Sequence, residues 1–190
     1  ALIVQNKFES NNAGGNSYAI RGSYVYTSTL CSNDISLGYN GIYLDNAYWT
    51  TMCYNQIYDN LGFGIKLDTG NDNSIDNNEI HDNQNVGIEL TGAMQRNGVY
   101  GNVLHDLWWD GVLVNATWPS SVQVAANVIS RTNLAWRDAA NNPPDINHNW
   151  GGIVLRGTND SAVYDNRVFA VSNAQGNRSD AAGIYLDFSS

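Results

Sequence analysis

One phrase returns seven times along the chain, about every 23 residues. It runs apolar residue, Asn, apolar residue, then Gly-Ile-x-Leu. The clearest copy has Ile75, Asn78 and Ile80, followed by Gly87-Ile88-Glu89-Leu90. The copy before it has Met52, Asn55 and Ile57, followed by Gly64-Ile65-Lys66-Leu67. A fixed internal period of this size means stacked repeats, each one too small to bury a face alone.

Aligned on the Asn, the copies give Asn6, Asn33, Asn55, Asn78, Asn102, Asn127 and Asn166. Aligned on the Gly-Ile unit, they give Ile20, Ile42, Ile65, Ile88, Val112, Ile153 and Ile184. Two residues further on stand Gly22, Leu44, Leu67, Leu90, Val114, Leu155 and Leu186, the first of which breaks the column. Each copy carries three short strands of period two and no helical stretch between them. Stacked as coils about 4.8 Å apart, equivalent strands pair above and below. The Asn is expected at a tight corner in the left-handed conformation, with its amide bonded to the next Asn up the stack. The fold expected is all-β: one solenoid domain over residues 1–190, about seven coils, an Asn ladder and no capping helix.

The Asn-x-Ile and Gly-Ile-x-Leu phrases resemble those of right-handed parallel β-helix proteins of the pectate-lyase-like superfamily, over essentially the whole chain. Members of that superfamily include polysaccharide lyases, alginate epimerases, glycosidases, phage tailspikes and periplasmic repeat proteins. The resemblance implies the fold and leaves the activity open. The Asp-Pro-His motif of the alginate epimerases has no counterpart, because the only prolines are Pro119, Pro143 and Pro144.

Three corner insertions, near residues 9–18, 131–150 and 172–182, precede a Gly-Ile strand. Loops of this kind are where repeat folds keep binding chemistry. The corner carries Trp108, Trp109, Trp136, Arg137, His148, Trp150 and Arg178, a set suited to stacking on sugars and holding their polar groups. The alternative is that these tryptophans cover a bare sheet face.

Outward positions of the Gly-Ile strands form two columns. One reads Arg21, Tyr43, Lys66, Glu89, Leu113, Val154, Tyr185; the next reads Ser23, Asp45, Asp68, Thr91, Asn115, Arg156, Asp187. Tyr43, Lys66 and Glu89 are the catalytic candidates, with Lys as base and Tyr as acid in a β-elimination beside a uronate. Asp45 and Asp68 could instead hold Ca2+. A solvated strand face of alternating charge is the plainer reading. A further outward column reads Tyr58, His81, His105, Ser130, Phe169, flanked by Asp59, Asp82 and Asp106. Two histidines and a carboxylate could share a transition metal, but simple stacking is the expectation.

The net charge of −9 argues against nucleic acid as a partner and disfavours other anionic polymers unless a cation bridges them, and no apolar run is long enough for a membrane span. Asn occurs 28 times, so the three Asn-x-Ser/Thr sequons at Asn115, Asn159 and Asn177 fit chance. Cys31 and Cys53 each stand two before a ladder Asn, which makes them neighbours on adjacent coils. That position allows either a disulfide between them or two free thiols; the disulfide would mean an oxidising compartment. The chain starts and stops within a coil, with no polar cap. Two readings follow. The first is an extracellular or cell-surface structural protein that self-associates end to end into a filament or layer. The second is a secreted polysaccharide-active enzyme or carbohydrate-binding domain.

Overall fold

The computed structural model describes residues 1–9, 17–133, 151–171 and 182–187, less the side chains of 118 and 119. Trp136, Arg137, His148, Trp150 and Arg178 lie outside that set, as does most of each corner insertion. The described chain is a right-handed parallel β-solenoid without a helix. Seven short strands, from Lys7–Glu9 to Arg167–Phe169, stack into one sheet; a twelve-stranded sheet forms the other faces. The larger sheet turns a corner through long strands such as Ile88–Tyr100 and Val112–Ala125. Unbroken winding covers about five turns rather than seven. Counting repeats treats every copy as a closed coil, whereas the first, sixth and seventh copies contain the insertions.

Strand pairing follows the repeat. Ile42 pairs with Ile65, Ile65 with Ile88, Ile88 with Val112, and Val112 with Ile153. These five side chains are 0% exposed, as are Ile35, Ile57, Ile80, Leu104 and Ile129 of the short sheet. At about 1.5–3 kcal/mol for each fully buried aliphatic side chain, such stacks supply the main folding force. The gap at Gly22 is closed by Val25: a Cβ on Gly22 would lie 2.5 Å from the Val25 Cγ2. Gly64 is demanded by its neighbour on the next coil, since a Cβ there would stand 2.6 Å from the Gly87 carbonyl oxygen.

The corners differ from expectation. The ladder Asn is not the left-handed residue; the residue before it is. Ser32, Tyr54, Asn77 and Ala126 have φ between 53° and 57°, and each precedes a ladder Asn. That turn points the Asn side chain inward, where it is needed as a hydrogen-bonding group. Asn78 Oδ1 accepts from the Asn55 backbone N–H at 3.0 Å and from Asn55 Nδ2 at 2.9 Å. Its own Nδ2 donates to the Met52 carbonyl at 3.0 Å and to Asn102 Oδ1 at 2.9 Å. The ladder runs from Asn6 to Asn166 with this pattern. Two further buried ladders occupy the other corners, Asn60 to Asn83 and Asn73 to Asn97. Buried backbone amides at these ladder corners thus gain partners that water would otherwise supply.

Cys31 and Cys53, partners in adjacent strands, form a disulfide. No helix among the described residues is long and apolar enough to cross a membrane.

Candidate functional site

The outer face of the Gly-Ile strands carries both expected columns in register. Arg21 pairs with Tyr43, Tyr43 with Lys66, and Lys66 with Glu89. Beside them Asp45 pairs with Asp68, and Asp68 with Thr91. One coil of rise per rung therefore brings Tyr43, Lys66, Glu89, Asp45 and Asp68 into one patch.

Its hydrogen bonds define roles. Lys66 Nζ donates to Glu89 Oε1 at 2.9 Å, and both side chains are mostly covered, at 25% and 19% exposure. The Tyr43 hydroxyl donates to Asp68 Oδ2 at 3.3 Å, and Thr91 Oγ1 donates to Asp68 Oδ1 at 3.1 Å. Burial first, then the Asp68 and Asp45 carboxylates, push the Tyr43 phenol above its usual value of 10. Tyr43 therefore keeps its proton through the neutral range and is a donor, not a base. Its ring packs 5.2 Å from that of Tyr18 and 6.4 Å from that of Phe63. The Arg21 guanidinium lies over both the Tyr18 and Tyr43 rings, at 5.3 Å and 5.7 Å. Tyr43 thus stands between two cations, Arg21 on one rung and Lys66 on the other. The sequence places Arg21 in the column, but its folding back over the aromatic rings is a rotamer choice the repeat does not encode.

Asp45 and Asp68 have acceptors already engaged: Asp45 Oδ1 takes the Asn46 amide at 2.7 Å, and Asp68 takes Tyr43 and Thr91. Calcium takes about six to eight oxygen ligands. Among the described residues no three His, Cys, Asp or Glu side chains are disposed as a metal cluster.

Further along, the face changes character. Leu113 and Val154 are outward in register, yet buried, and form a small cluster with Val86. Trp109 and Tyr185 pack against it. Trp109 thus lies over an apolar patch. Trp108 is half-buried, its backbone N–H donating to the Asn83 carbonyl at 3.1 Å.

Asp110, one residue after Trp109, is 1% exposed and not anticipated from the sequence. Its Oδ1 accepts the Gly151 backbone N–H at 2.7 Å, tying two coils together. Burial raises its carboxyl to about 7, while the Gly151 hydrogen bond and the Arg156 charge offset part of that rise. The available signal was positional. Asp110 stands two before Val112, where the second copy has Asn40 two before Ile42, and Asn40 is buried too.

The model of the family described as "Right handed beta helix region" matches residues 1–104, more than half of the chain. The chain belongs to this right-handed β-helix family. None of the curated proteins matches it. Among solved structures, a point mutant of the periplasmic alginate epimerase AlgG superposes with a TM-score of 0.71 at 17% identity, over 87% of this chain and 39% of the epimerase. A second structure of that epimerase gives 0.60 at 16% identity, over 98% of this chain and 38% of the other. This β-helix protein therefore spans about two-fifths of the epimerase's length, and the likeness is one of fold. An alginate lyase from Paenibacillus sp. superposes with a TM-score of only 0.43 at 14% identity, too loosely to argue from.

Proposed function

We propose that this protein is a secreted, polysaccharide-active β-helix that takes an acidic polysaccharide on the outer face of its Gly-Ile strands. The observation that carries the reading is Tyr43: a phenol held in its protonated form, hydrogen-bonded to Asp68, and set between the cations of Arg21 and Lys66. The two cations suit uronate carboxylates on successive sugars. In a β-elimination, Glu89, steadied by Lys66, accepts the proton from the sugar carbon next to the carboxylate. That electron pair forms the new carbon–carbon double bond, the bond to the glycosidic oxygen breaks, and Tyr43 protonates the leaving oxygen. This assigns the base to Glu89 rather than Lys66, because the ammonium of Lys66 donates to Glu89. The alginate named for the epimerase on which the chain superposes makes alginate the first substrate to try, although the epimerases' Asp-Pro-His motif has no counterpart here.

The disulfide supports an oxidising, extracytoplasmic setting. The likeness to an alginate epimerase ranks the saccharide reading above the stacked-rod one.

The test is incubation with alginate, pectate and a neutral glucan, following the ultraviolet absorbance of unsaturated product and binding by calorimetry. Cleavage of an acidic polymer, with Tyr43→Phe reducing turnover at least about 100-fold while binding stays within a few-fold, is the expected result. Neither binding nor cleavage of any polymer at millimolar sugar would refute the proposal.

A further inference from the structure

The histidine column lies on the outer face of the short sheet, away from the Gly-Ile strands. Tyr58, His81 and His105 stand in register on three successive strands. Their rings stack as expected, Tyr58 on His81 at 5.1 Å and His81 on His105 at 4.9 Å, with interplanar angles of 5° and 4°.

The surroundings do more than stack. Nδ1 of His81 lies 2.8 Å from Asp82 Oδ2, and Nδ1 of His105 lies 2.8 Å from Asp106 Oδ2. Each aspartate is the left-handed corner residue immediately after its histidine, with φ of 54°, so the same turn repeats the same pairing. Arg131 holds the Asp106 carboxylate through its Nε at 2.6 Å. A carboxylate only accepts, so the 2.8 Å contacts to Asp82 and Asp106 favour the imidazole proton on Nδ1; at His105 the Arg131 Nη2 competes for that nitrogen from 3.3 Å. The Nε2 lone pair of both rings is thereby left available, on neighbouring rungs. This carboxylate–histidine arrangement is the one that orients and strengthens imidazole ligands at metal sites. A third donor is close: Glu79, on the strand of His81, places Oε1 3.9 Å from His105 Nε2; its side chain is 47% exposed, and its Oε2 accepts the Gln56 amide at 3.3 Å.

We propose that His81 and His105, with Glu79 as third ligand, bind one borderline divalent transition-metal ion such as Zn2+ or Ni2+ through their Nε2 atoms. Imidazole nitrogen with one carboxylate is a donor set suited to these ions and not to Ca2+ or Mg2+. Two metal–nitrogen bonds of about 2.1 Å require the nitrogens within about 4.2 Å of each other. The stacked ring centres are 4.9 Å apart, so no three-donor cluster stands preformed. Turning each ring about its Cβ–Cγ bond closes that distance and breaks the stack, and Asp82 and Asp106 must follow Nδ1 to keep their bonds. The ion therefore exchanges a ring–ring contact for two coordinate bonds and clamps two coils together. Tyr58 closes one end of the column and Ser130 the other, which limits the site to one ion for each chain.

The experiment is a Zn2+ titration of the whole untagged chain at pH 7.5, read by calorimetry and by the imidazole nitrogen shifts in long-range proton–nitrogen spectra. One ion for each chain, with the Nε2 signals of His81 and His105 moving together while both Nδ1 signals stay protonated, is the expected result. His81→Ala and His105→Ala should each weaken binding at least tenfold, and Glu79→Gln severalfold, with thermal unfolding confirming that each variant folds. Unmoved Nε2 signals at millimolar Zn2+ overturn the proposal. So does undiminished affinity in either folded histidine variant, which would put the ion elsewhere.

Discussion

Replacing Asp110 by Asn should make the protein more stable at pH 8, by an amount that vanishes in acid. The carboxyl of Asp110 moves from 3.8 to about 7 on folding, chiefly through burial. The folded state therefore holds this proton more tightly than the unfolded state does. Stability is complete below about pH 4, falls as pH rises toward about 7, and levels off above. A shift of about three units corresponds to about 4 kcal/mol, an upper figure because water entry and relaxation reduce such costs. The Asn amide oxygen retains the bond from the Gly151 N–H, and Asn40 shows that a buried amide fits the equivalent position. Urea unfolding of both proteins at pH 4, 6 and 8 is the assay. The wild type should lose about 2–4 kcal/mol across the series that Asp110→Asn does not lose. A gap between the two that is independent of pH, or a variant less stable at pH 8, would refute the reasoning.

Asn78→Ala should cost about 3–5 kcal/mol, because the Asn55 N–H and the Met52 carbonyl lose buried partners together; chemical denaturation measures it, and a cost below about 1 kcal/mol would show that water replaces the ladder. Gly64→Ala should cost about 1–3 kcal/mol, since the new Cβ meets a backbone carbonyl that cannot step aside. The Tm of a folded Gly64→Ala protein checks this against Gly183→Ala, where the nearest atom to a new Cβ is 3.9 Å away and little change is expected. Replacing Cys31 and Cys53 together by Ser should cost about 3 kcal/mol, set by the separation of 22 residues that the bond closes. An unchanged midpoint in oxidising buffer would count against the disulfide as a stabilising link.

Much of the fold is legible because the repeat fixes register. Once Ile65 is aligned with Ile88, every neighbour follows, and the observed pairs Tyr43–Lys66 and Asp45–Asp68 are those the alignment places together. The second and third Asn ladders were equally present in the spacing. Asn60 and Asn83 follow Asn55 and Asn78 by five, and Asn73 and Asn97 precede Asn78 and Asn102 by five. They escape notice because the same columns hold Gly38, Leu107, Thr50 and Ser28, so neither column is uniform. The local conformation of the first ladder was misjudged for a different reason. Asn tolerates positive φ, but its buried amide is worth more here than its backbone freedom, and the preceding residue takes the turn, even when it is as bulky as Tyr54. In the site, the repeat supplies which residues share a patch. It does not supply which oxygen accepts which proton, nor that Arg21 lies over Tyr43, because those depend on side-chain torsions without a period.

The Asn ladder also sets how such a molecule can change length. Each ladder Asn offers one neighbouring coil the same acceptor that it takes from the other, so the contact made by this ladder is the same wherever the stack is cut between two ladder Asn residues. Excising the 23 residues that separate Asn55 from Asn78 would bring Asn33 against Asn78 with bonding like that which Asn33 now makes to Asn55. Inside the stack, then, length is quantised: a whole turn can be lost or duplicated with its core and ladders resealed, whereas a shift of a single residue misplaces every amide at once.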